Sequence, residues 1–566
     1  MLKLFIIIIF ISLNCFAKEI KTIDFDGEID LLLGDFSKSN LEKICDISYP
    51  AIYKFWKEKP IFTQNDIENC ENLLNDYAQS LGFYNSSISY KIEEDKASFH
   101  IKRNKQIKIA SIEVDDEYKN IIELKVNDGF VSSDFTNSKK NIYKHLGNTG
   151  YAKAVLDAKA YVDIDEYKVD IKYEVVKNSI QKFGDIKIKN DAKIDMSFLE
   201  KNIEFVKGQD YNSTLIDKTY ENLYNFGIYK YIRIEPDLDK STDDIPVDIN
   251  LVQGDYRETS YGIGYDTNTK ARFKAQYKND NFLGNLKSFT IGTKVSQDGF
   301  EVYNNLYNPY FIKDDVSFNN DVSYEDMNYT SYSQKKIEEK LSLSKDFFGL
   351  SNTAGILLEH STLKSDLKEY QSGSYLLNSF FYETILDRRD DILNPKNGYY
   401  LSFYIENGTK AIASEIDYIK TLTQARYLKT FDKFTSSFKT TIGTLNKDLP
   451  IFKHFFAGGD YSNRGYAYEK VGKKDYDDNP YGGLSMIDSS VEFEYAIKKD
   501  LGIVTFFDST MLSLQSNKFN EKFYNSYGFG ARYYTPIGPL RVDLGFPLDD
   551  GGFVFHVGIG QVFWKS

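Results

Sequence analysis

From residue 255 to residue 566 the chain alternates between apolar side chains and small or polar ones, and helical periodicity almost disappears. Tyr261-Gly262-Ile263-Gly264-Tyr265 and Phe273-Lys274-Ala275-Gln276-Tyr277 are early examples; Val491-Glu492-Phe493-Glu494-Tyr495 and Val557-Gly558-Ile559-Gly560 are late ones. Period two puts successive side chains on opposite faces of a sheet. A sandwich with one wet face produces the same pattern. A single unbroken series with tyrosines repeatedly on the apolar face favours an antiparallel β-barrel closed on itself and facing lipid. At roughly 20 residues per strand and connection, the segment holds about 16 strands. Composition agrees: Phe 42 and Tyr 44 coexist with a mean hydropathy of only −0.44, because the polar face dilutes the apolar one. No run of about 18 apolar residues occurs, which excludes a bundle of membrane-spanning helices. The net charge of −13 argues against a nucleic-acid partner, since phosphate binding needs clustered Lys and Arg.

The amino terminus sets the compartment. Lys3 is followed by the apolar run Leu4–Leu13 and by Cys15-Phe16-Ala17, which reads as a secretory signal peptide (residues 1–17) cleaved after Ala17; a short buried helix is the alternative. Cys45 and Cys70 remain, and export permits a disulfide between them, or two buried free thiols. Three segments then repeat one order of elements: alternating strand, helical stretch, glycine-aromatic corner, alternating strands. The corners are Gly82, Gly150 and Gly227. In the first copy the opening strand falls at Phe62-Thr63, ahead of a helix to Leu81. Units of this size suit small tandem α+β domains at 18–104, 105–179 and 180–254 better than solenoid repeats; one irregular α+β domain is the alternative.

One barrel connection, residues 450–490, is far longer than a hairpin needs, and such loops are usually functional. It carries Gly458-Gly459-Asp460-Tyr461-Ser462-Asn463-Arg464-Gly465-Tyr466, a compact tip presenting one cation. Nothing points to catalysis. His100, His145, His360, His454 and His556 lack metal-ligand spacing, no nucleophile elbow, P-loop or H-E-x-x-H occurs, and Asp475, Asp477 and Asp478 lack the ligand order of a calcium loop. We therefore expect no catalytic residue, no metal and no cofactor.

Four stretches carry a family resemblance. Gly458-Gly459 with Ser462-Asn463-Arg464-Gly465-Tyr466 follows the pattern G-G-x-x-S-[VLI]-R-G-[FY], with Asn463 at the usually apolar position. Thr505-Phe506-Phe507-Asp508 is similar to an F-x-D-x-G strand, with Thr510 at its glycine. Asp390-Asp391, Pro395 and Gly398-Tyr399 resemble a mid-barrel D-x-x-x-x-P-x-x-G signature, and Tyr533–Leu548 matches the penultimate-strand region. Together they resemble the BamA/TamA outer-membrane insertase superfamily, most closely its TamA branch. The resemblance implies tandem POTRA modules ahead of a 16-strand barrel in the Gram-negative outer membrane, with the modules in the periplasm. Three modules are what the TamA branch has, against five for BamA and two for two-partner secretion transporters. It also implies an assembly or translocation factor for β-barrel or autotransporter-type clients. Its partners would be the outer-membrane lipid bilayer, nascent outer-membrane proteins and a TamB-like periplasmic protein, with no nucleic acid. A BamA-like general insertase and a two-partner transporter are the alternatives.

In that family the loop arginine folds into the lumen and meets acidic wall residues. Carried over, Arg464 meets Asp508 and Glu492. Period two supports this: Glu492 and Glu494 share one strand face, opposite Phe493 and Tyr495. Closure pairs a first strand containing Gly262 and Gly264 with a last strand containing Gly558 and Gly560. Strand glycines lower stability, so this seam is expected to be weak and able to template an incoming strand. The same glycines could instead make room for the inserted loop.

Overall fold

The computed structural model describes residues 19–31, 34–49, 60–239, 243–268, 270–312, 316–392, 395–498, 500–535, 538–549 and 551–559. The signal segment and Gly560 lie outside the described residues. Three small sheets come first. Strands β1 (Thr22–Gly27), β2 (Ser87–Glu93) and β3 (Lys96–Lys102) form the first, with helices α1 (Lys38–Ile44) and α2 (Gln64–Ser80). Strands β4 (Lys108–Glu113), β5 (Val155–Asp163) and β6 (Lys168–Val176) form the second, with α3 (Ser132–Asn148). The third holds β7 (Lys182–Asn190), α4 (Met196–Glu200), α5 (Ser213–Tyr224), β8 (Tyr229–Pro236) and β9 (Asp244–Gln253). All three share one strand order, β1-β3-β2, β4-β6-β5 and β7-β9-β8, in which the last strand lies central. In the first two modules it runs parallel to the opening strand and antiparallel to the middle one.

The corner glycines all adopt positive φ, at 85° for Gly82, 93° for Gly150 and 69° for Gly227, where a side chain would strain the backbone. One expectation is corrected. The first module opens with Thr22–Gly27, not Phe62-Thr63: Ile23 and Phe25 alternate into the core, whereas Phe62 makes only an isolated bridge to Ile20. Thr63 instead caps α2, with the Asp66 carboxylate accepting from the Thr63 amide at 2.7 Å in a reciprocal capping box.

Cys45, at the end of α1, is disulfide-bonded to Cys70 in α2, beside the core of Ile23, Phe25, Leu41, Ile67, Leu74 and Phe99. Closing a loop of sequence separation 25 constrains the unfolded chain by about 3 kcal/mol. Reduction, or Cys70→Ala, should therefore speed amide exchange across β1, β2 and β3 in the full-length protein while leaving β4–β6 unchanged. Equal protection in both redox states would remove the bridge's stabilising role.

The barrel sheet consists of β10 (Arg257–Asp266), β11 (Lys270–Asn279), β12 (Ser288–Ser296), β13 (Gly299–Ile312), β14 (Val316–Asn328), β15 (Tyr332–Phe347), β16 (Leu350–Ser365), β17 (Gly373–Leu376), β18 (Ser379–Asp387), β19 (Asn397–Gly408), β20 (Tyr418–Phe431), β21 (Phe434–Leu445), β22 (Ser485–Lys498), β23 (Leu501–Ser513), β24 (Phe523–Thr535), β25 (Gly538–Pro547) and β26 (Val554–Ile559). They lie in chain order, and neighbouring staves run antiparallel. β17 and β18 both pair with β16 and form one stave interrupted at Leu377-Asn378, so the staves number sixteen. The aromatic face is outward: Tyr261, Phe493 and Tyr495 are exposed, and Ile263 is 88% exposed. The opposite face carries the buried polar groups, as a barrel in lipid requires.

The long connection ends at residue 484, earlier than the 490 expected from sequence. Ser485-Met486-Ile487-Asp488-Ser489-Ser490 pair fully with β21 and β23. Their alternation is blurred because Ser485, Met486, Asp488 and Ser490 are all buried beneath the loop itself.

Candidate functional site

The connection 446–484 folds back into the barrel, with Ala457, Asp460, Asn463, Arg464 and Tyr466 buried. Two residues let it press against the wall. A Cβ on Gly545 of β25 would lie 2.1 Å from the Arg464 carbonyl oxygen, and one on Gly465 would lie 2.3 Å from Ser526 Cβ. Gly458 and Gly459, at φ 107° and 95°, turn the chain into this seat.

Arg464 is 0% exposed and is brought to the two carboxylates expected from sequence. Its Nε and Nη2 donate to Asp508 on β23, both at 2.9 Å; Nη1 donates to Glu492 on β22 at 2.5 Å; Nη2 also donates to Ser490 Oγ at 3.1 Å. The Arg464 amide donates to the same Asp508 carboxylate at 2.9 Å, and the guanidinium lies 3.4 Å over the Phe506 ring. A guanidinium removed from water needs such a fork of acceptors, or its lost hydration is uncompensated.

The network extends beyond what sequence reasoning found. Arg532 on β24 donates to Glu492 at 3.0 Å and to Asp543 at 2.7 Å. Arg541 on β25 donates to the Asp460 carboxylate of the loop at 2.8 Å and approaches Asp543 at 3.7 Å. Three arginines thus interleave with Asp460, Glu492, Asp508 and Asp543, all nearly fully buried. The signal was present in Arg541-Val542-Asp543, two opposite charges on one strand face next to lipid-facing neighbours. His556 on β26 shares its ring: Nε2 donates to the Arg464 carbonyl at 2.9 Å, which leaves Nδ1 to accept from the Thr267 hydroxyl at 3.3 Å.

A second anchor holds the stem of the loop to other staves. Lys453 Nζ lies 2.7 Å from Glu359 on β16 and 3.1 Å from Glu406 on β19. Glu406 also accepts from Tyr404 at 3.0 Å and from Tyr418. The two residues that depart from the family pattern meet: Asn463 donates to Thr510 Oγ1 at 3.4 Å, Thr510 donates to Asp488 at 2.6 Å, and Ser526 donates to Asn463 at 2.6 Å.

At the sheet's edges, the Thr267 amide after β10 donates to the Val557 carbonyl of β26 at 3.2 Å. Among the described residues, Lys274 Cβ at 3.9 Å is what a Cβ on Gly262 would meet. Gly262, Gly264, Lys274 and Ile559 help line a cavity of about 620 Å³ beside this edge. Gly558 differs: a Cβ there would lie 3.1 Å from both Asp460 and Arg541, so this glycine makes room for the loop. Among the described residues no cluster of His, Cys, Asp or Glu is arranged to hold a metal ion.

A sixteen-stave barrel with its longest loop ionically seated in the lumen, after small modules of uniform topology, defines an outer-membrane barrel of the POTRA-bearing class. Residues 281–563 match the Omp85 superfamily domain, and residues 181–254 match the POTRA family described as surface antigen variable number repeat. The chain belongs to the Omp85 superfamily, and is an outer-membrane protein with periplasmic amino-terminal modules. It is 20% identical over 557 residues to the outer membrane protein assembly factor BamA of Nitratidesulfovibrio vulgaris (Hildenborough), covering 92% of this chain and 70% of that one. It is 19% identical to BamA of Neisseria meningitidis serogroup B, covering 94% and 76%. The crystal structure of Haemophilus ducreyi BamA lacking POTRA domains 1–3 has the same fold, with a TM-score of 0.68 at 18% identity over 81% of this chain and 99% of that one.

Two substitutions test the seat. Arg464→Ala leaves Asp508 and Glu492 buried without their cation and should cost about 3–5 kcal/mol. Lys470→Ala loses only a solvated pair with Asp478, at roughly 0–1 kcal/mol. Heat-modifiable mobility and urea midpoints would report the difference; equal midpoints would return Arg464 to an ordinary loop position. Gly545→Ala, which meets backbone rather than a flexible side chain, should dislodge the loop and expose Ala457→Cys to an impermeant maleimide. Continued protection there would show that the wall yields instead.

Proposed function

We propose that this chain assembles or translocates outer-membrane polypeptides of the β-barrel or autotransporter type through the seam between β10 and β26. The observation that carries this reading is the character of that seam. Where both edges are described, the Thr267 amide donates to the Val557 carbonyl at 3.2 Å, and both strands carry glycine, Gly262 and Gly264 in β10 and Gly558 in β26. Strand glycines lower the stability of pairing, and unpaired edges in lipid are costly, so such an edge is suited to accept the edge of another chain. No catalysis is assigned to the chain, and the free energy comes from client folding and lipid rather than from nucleotide hydrolysis.

Within the superfamily the reading we favour is TamA-type, acting with a TamB-like periplasmic protein. Three repeated α+β modules, at 18–104, 105–179 and 180–254, support it. A BamA-like general insertase is the second reading, favoured by the names of the two curated relatives. Capture of full-length tagged protein from its own cells separates them: one large periplasmic partner is expected for the first, several lipoproteins for the second.

The seam itself is tested by a cysteine pair at Thr267 and Val557, whose backbones are already hydrogen-bonded at 3.2 Å. Oxidation should leave the barrel heat-resistant on a gel yet abolish client insertion into vesicles, and reduction should restore it. Full insertion with the pair quantitatively locked would sink the gate.

A further inference from the structure

The two edges of the barrel sheet are joined from inside by one loop side chain. Asp460, 0% exposed, accepts through one carboxylate oxygen from the side-chain Nδ2 of Asn268, in the turn between β10 and β11. Through the other it accepts from Arg541 on β25 at 2.8 Å, and its own carbonyl accepts from Arg541 at 3.2 Å. Asn268 belongs to the first-strand side of the seam and Arg541 to the last-strand side. Neighbouring loop residues reinforce the placement. The Tyr461 carbonyl accepts from Lys439 on β21, the Tyr461 hydroxyl donates to the Ile559 carbonyl at 3.4 Å, and the Arg541 guanidinium lies 4.7 Å over the Tyr461 ring. Backbone geometry is cut to match. Side-chain atoms at Gly459 or Gly558 would crowd Asn268 at 2.9 Å or Asp460 at 3.1 Å.

We propose that Asp460 is a clasp: a positioning residue that ties the seating of the inserted loop to closure of the β10–β26 seam, so that neither changes without the other. A carboxylate has acceptor sites for both donors at once, one oxygen for each edge. Moving the loop withdraws that carboxylate from both partners together, and separating the edges pulls Asn268 and Arg541 apart across it. Because Arg541 and Arg464 belong to one ionic network, the pull on the seam is transmitted to the seat of the loop through charges already removed from water. The coupling has a physical carrier at each step, with a bistable element, the seam, that both ends bias. This inference rests on the gate reading only for its functional meaning; the clasp itself is a statement about distance.

The test measures that distance directly. Spin labels at Ala271→Cys and Phe553→Cys, on the two sides of the seam, are read by dipolar spectroscopy in the full-length protein in lipid nanodiscs; Cys45 and Cys70 are bonded to each other and do not label. The parent should give one narrow separation. Asp460→Ala should raise the ratio of wide to narrow separations roughly tenfold or more, Asn268→Ala less in the same direction, and Asp460→Glu should recover most of the narrow population. Asn268→Ala leaves the loop sequence and every arginine–carboxylate pair intact, so it decides the question alone if Asp460→Ala fails to fold. Distributions identical to the parent in the folded variants overturn the clasp. Client insertion measured on the same samples separates the two ideas: a wider seam with unchanged insertion keeps the clasp and sinks the gate, whereas lost insertion at unchanged distance sinks the clasp.

Discussion

The structure depends on charges that cannot leave the lumen singly. Arg464, Arg532 and Arg541 are buried, and each is neutralised by carboxylates contributed from a different element. Removing a charge from water costs several kcal/mol, and attraction offsets this only when donors and acceptors are fully matched. The matched set here requires the loop: without Arg464, Asp508 and Glu492 face each other's charge, and without Asp460, Arg541 loses its closest partner. Loop and wall therefore form one ionic unit, and the strand register that aligns Glu492, Asp508, Asp543 and Arg532 on inward faces is fixed by the same requirement.

That unit sits beside some of the shorter staves of the barrel. β10–β12 have 9 or 10 residues, whereas β15 and β16 have 16. Long staves carry more ladder bonds and more apolar surface, so β13–β16 close themselves, while the short staves lean on what lies within. The Lys453 anchor on Glu359 and Glu406 extends the support to β16 and β19. The loop thus spans the lumen between the self-sufficient wall and the dependent one, which gives a long connection in this position a structural reason as well as a functional one.

Much of this was legible in the residues. Period two gave the barrel and the inward face of Glu492, because side chains in a lipid-facing strand have no freedom to choose a face; segment length gave about sixteen staves, and the family resemblance pointed to Asp508. The corner glycines marked module turns because only φ > 0 satisfies the end of those helices. The short opening strand of the first module was missed because Thr22-Ile23-Asp24-Phe25 is one brief alternation, and the pairing partner that makes it a strand, β3, lies some seventy residues away. The ends of the long connection blurred for a related reason: burial under a loop erases the polar–apolar contrast that periodicity needs. Arg532 and Asp460 were hidden because a buried ion pair is defined by its partner, and no local pattern names a partner on another strand; Arg541 showed only as a charge opposite in sign to Asp543 on one strand face. The notion of strand glycines as one set also proved too coarse. Gly558 clears the loop, Gly545 clears the arginine's backbone, and Gly262 clears nothing described, although all three look alike in sequence.

The meeting of Asn463 with Thr510 bears on how such loops can be exchanged between relatives. The tip of the loop and the strand facing it lie far apart in the chain, yet Asn463 and Thr510, the two departures from the resembled pattern, are hydrogen-bonded to each other, and Asp488 and Ser526 complete their bonds. A loop grafted from a relative with a valine at position 463 would bring methyl groups against the Thr510 and Ser526 hydroxyls, which would lose their bonds to Asn463. Chimeras that carry only the loop should for that reason behave worse than those that carry the loop with its facing strand. The structural unit of this motif is therefore the matched pair of surfaces rather than the peptide alone.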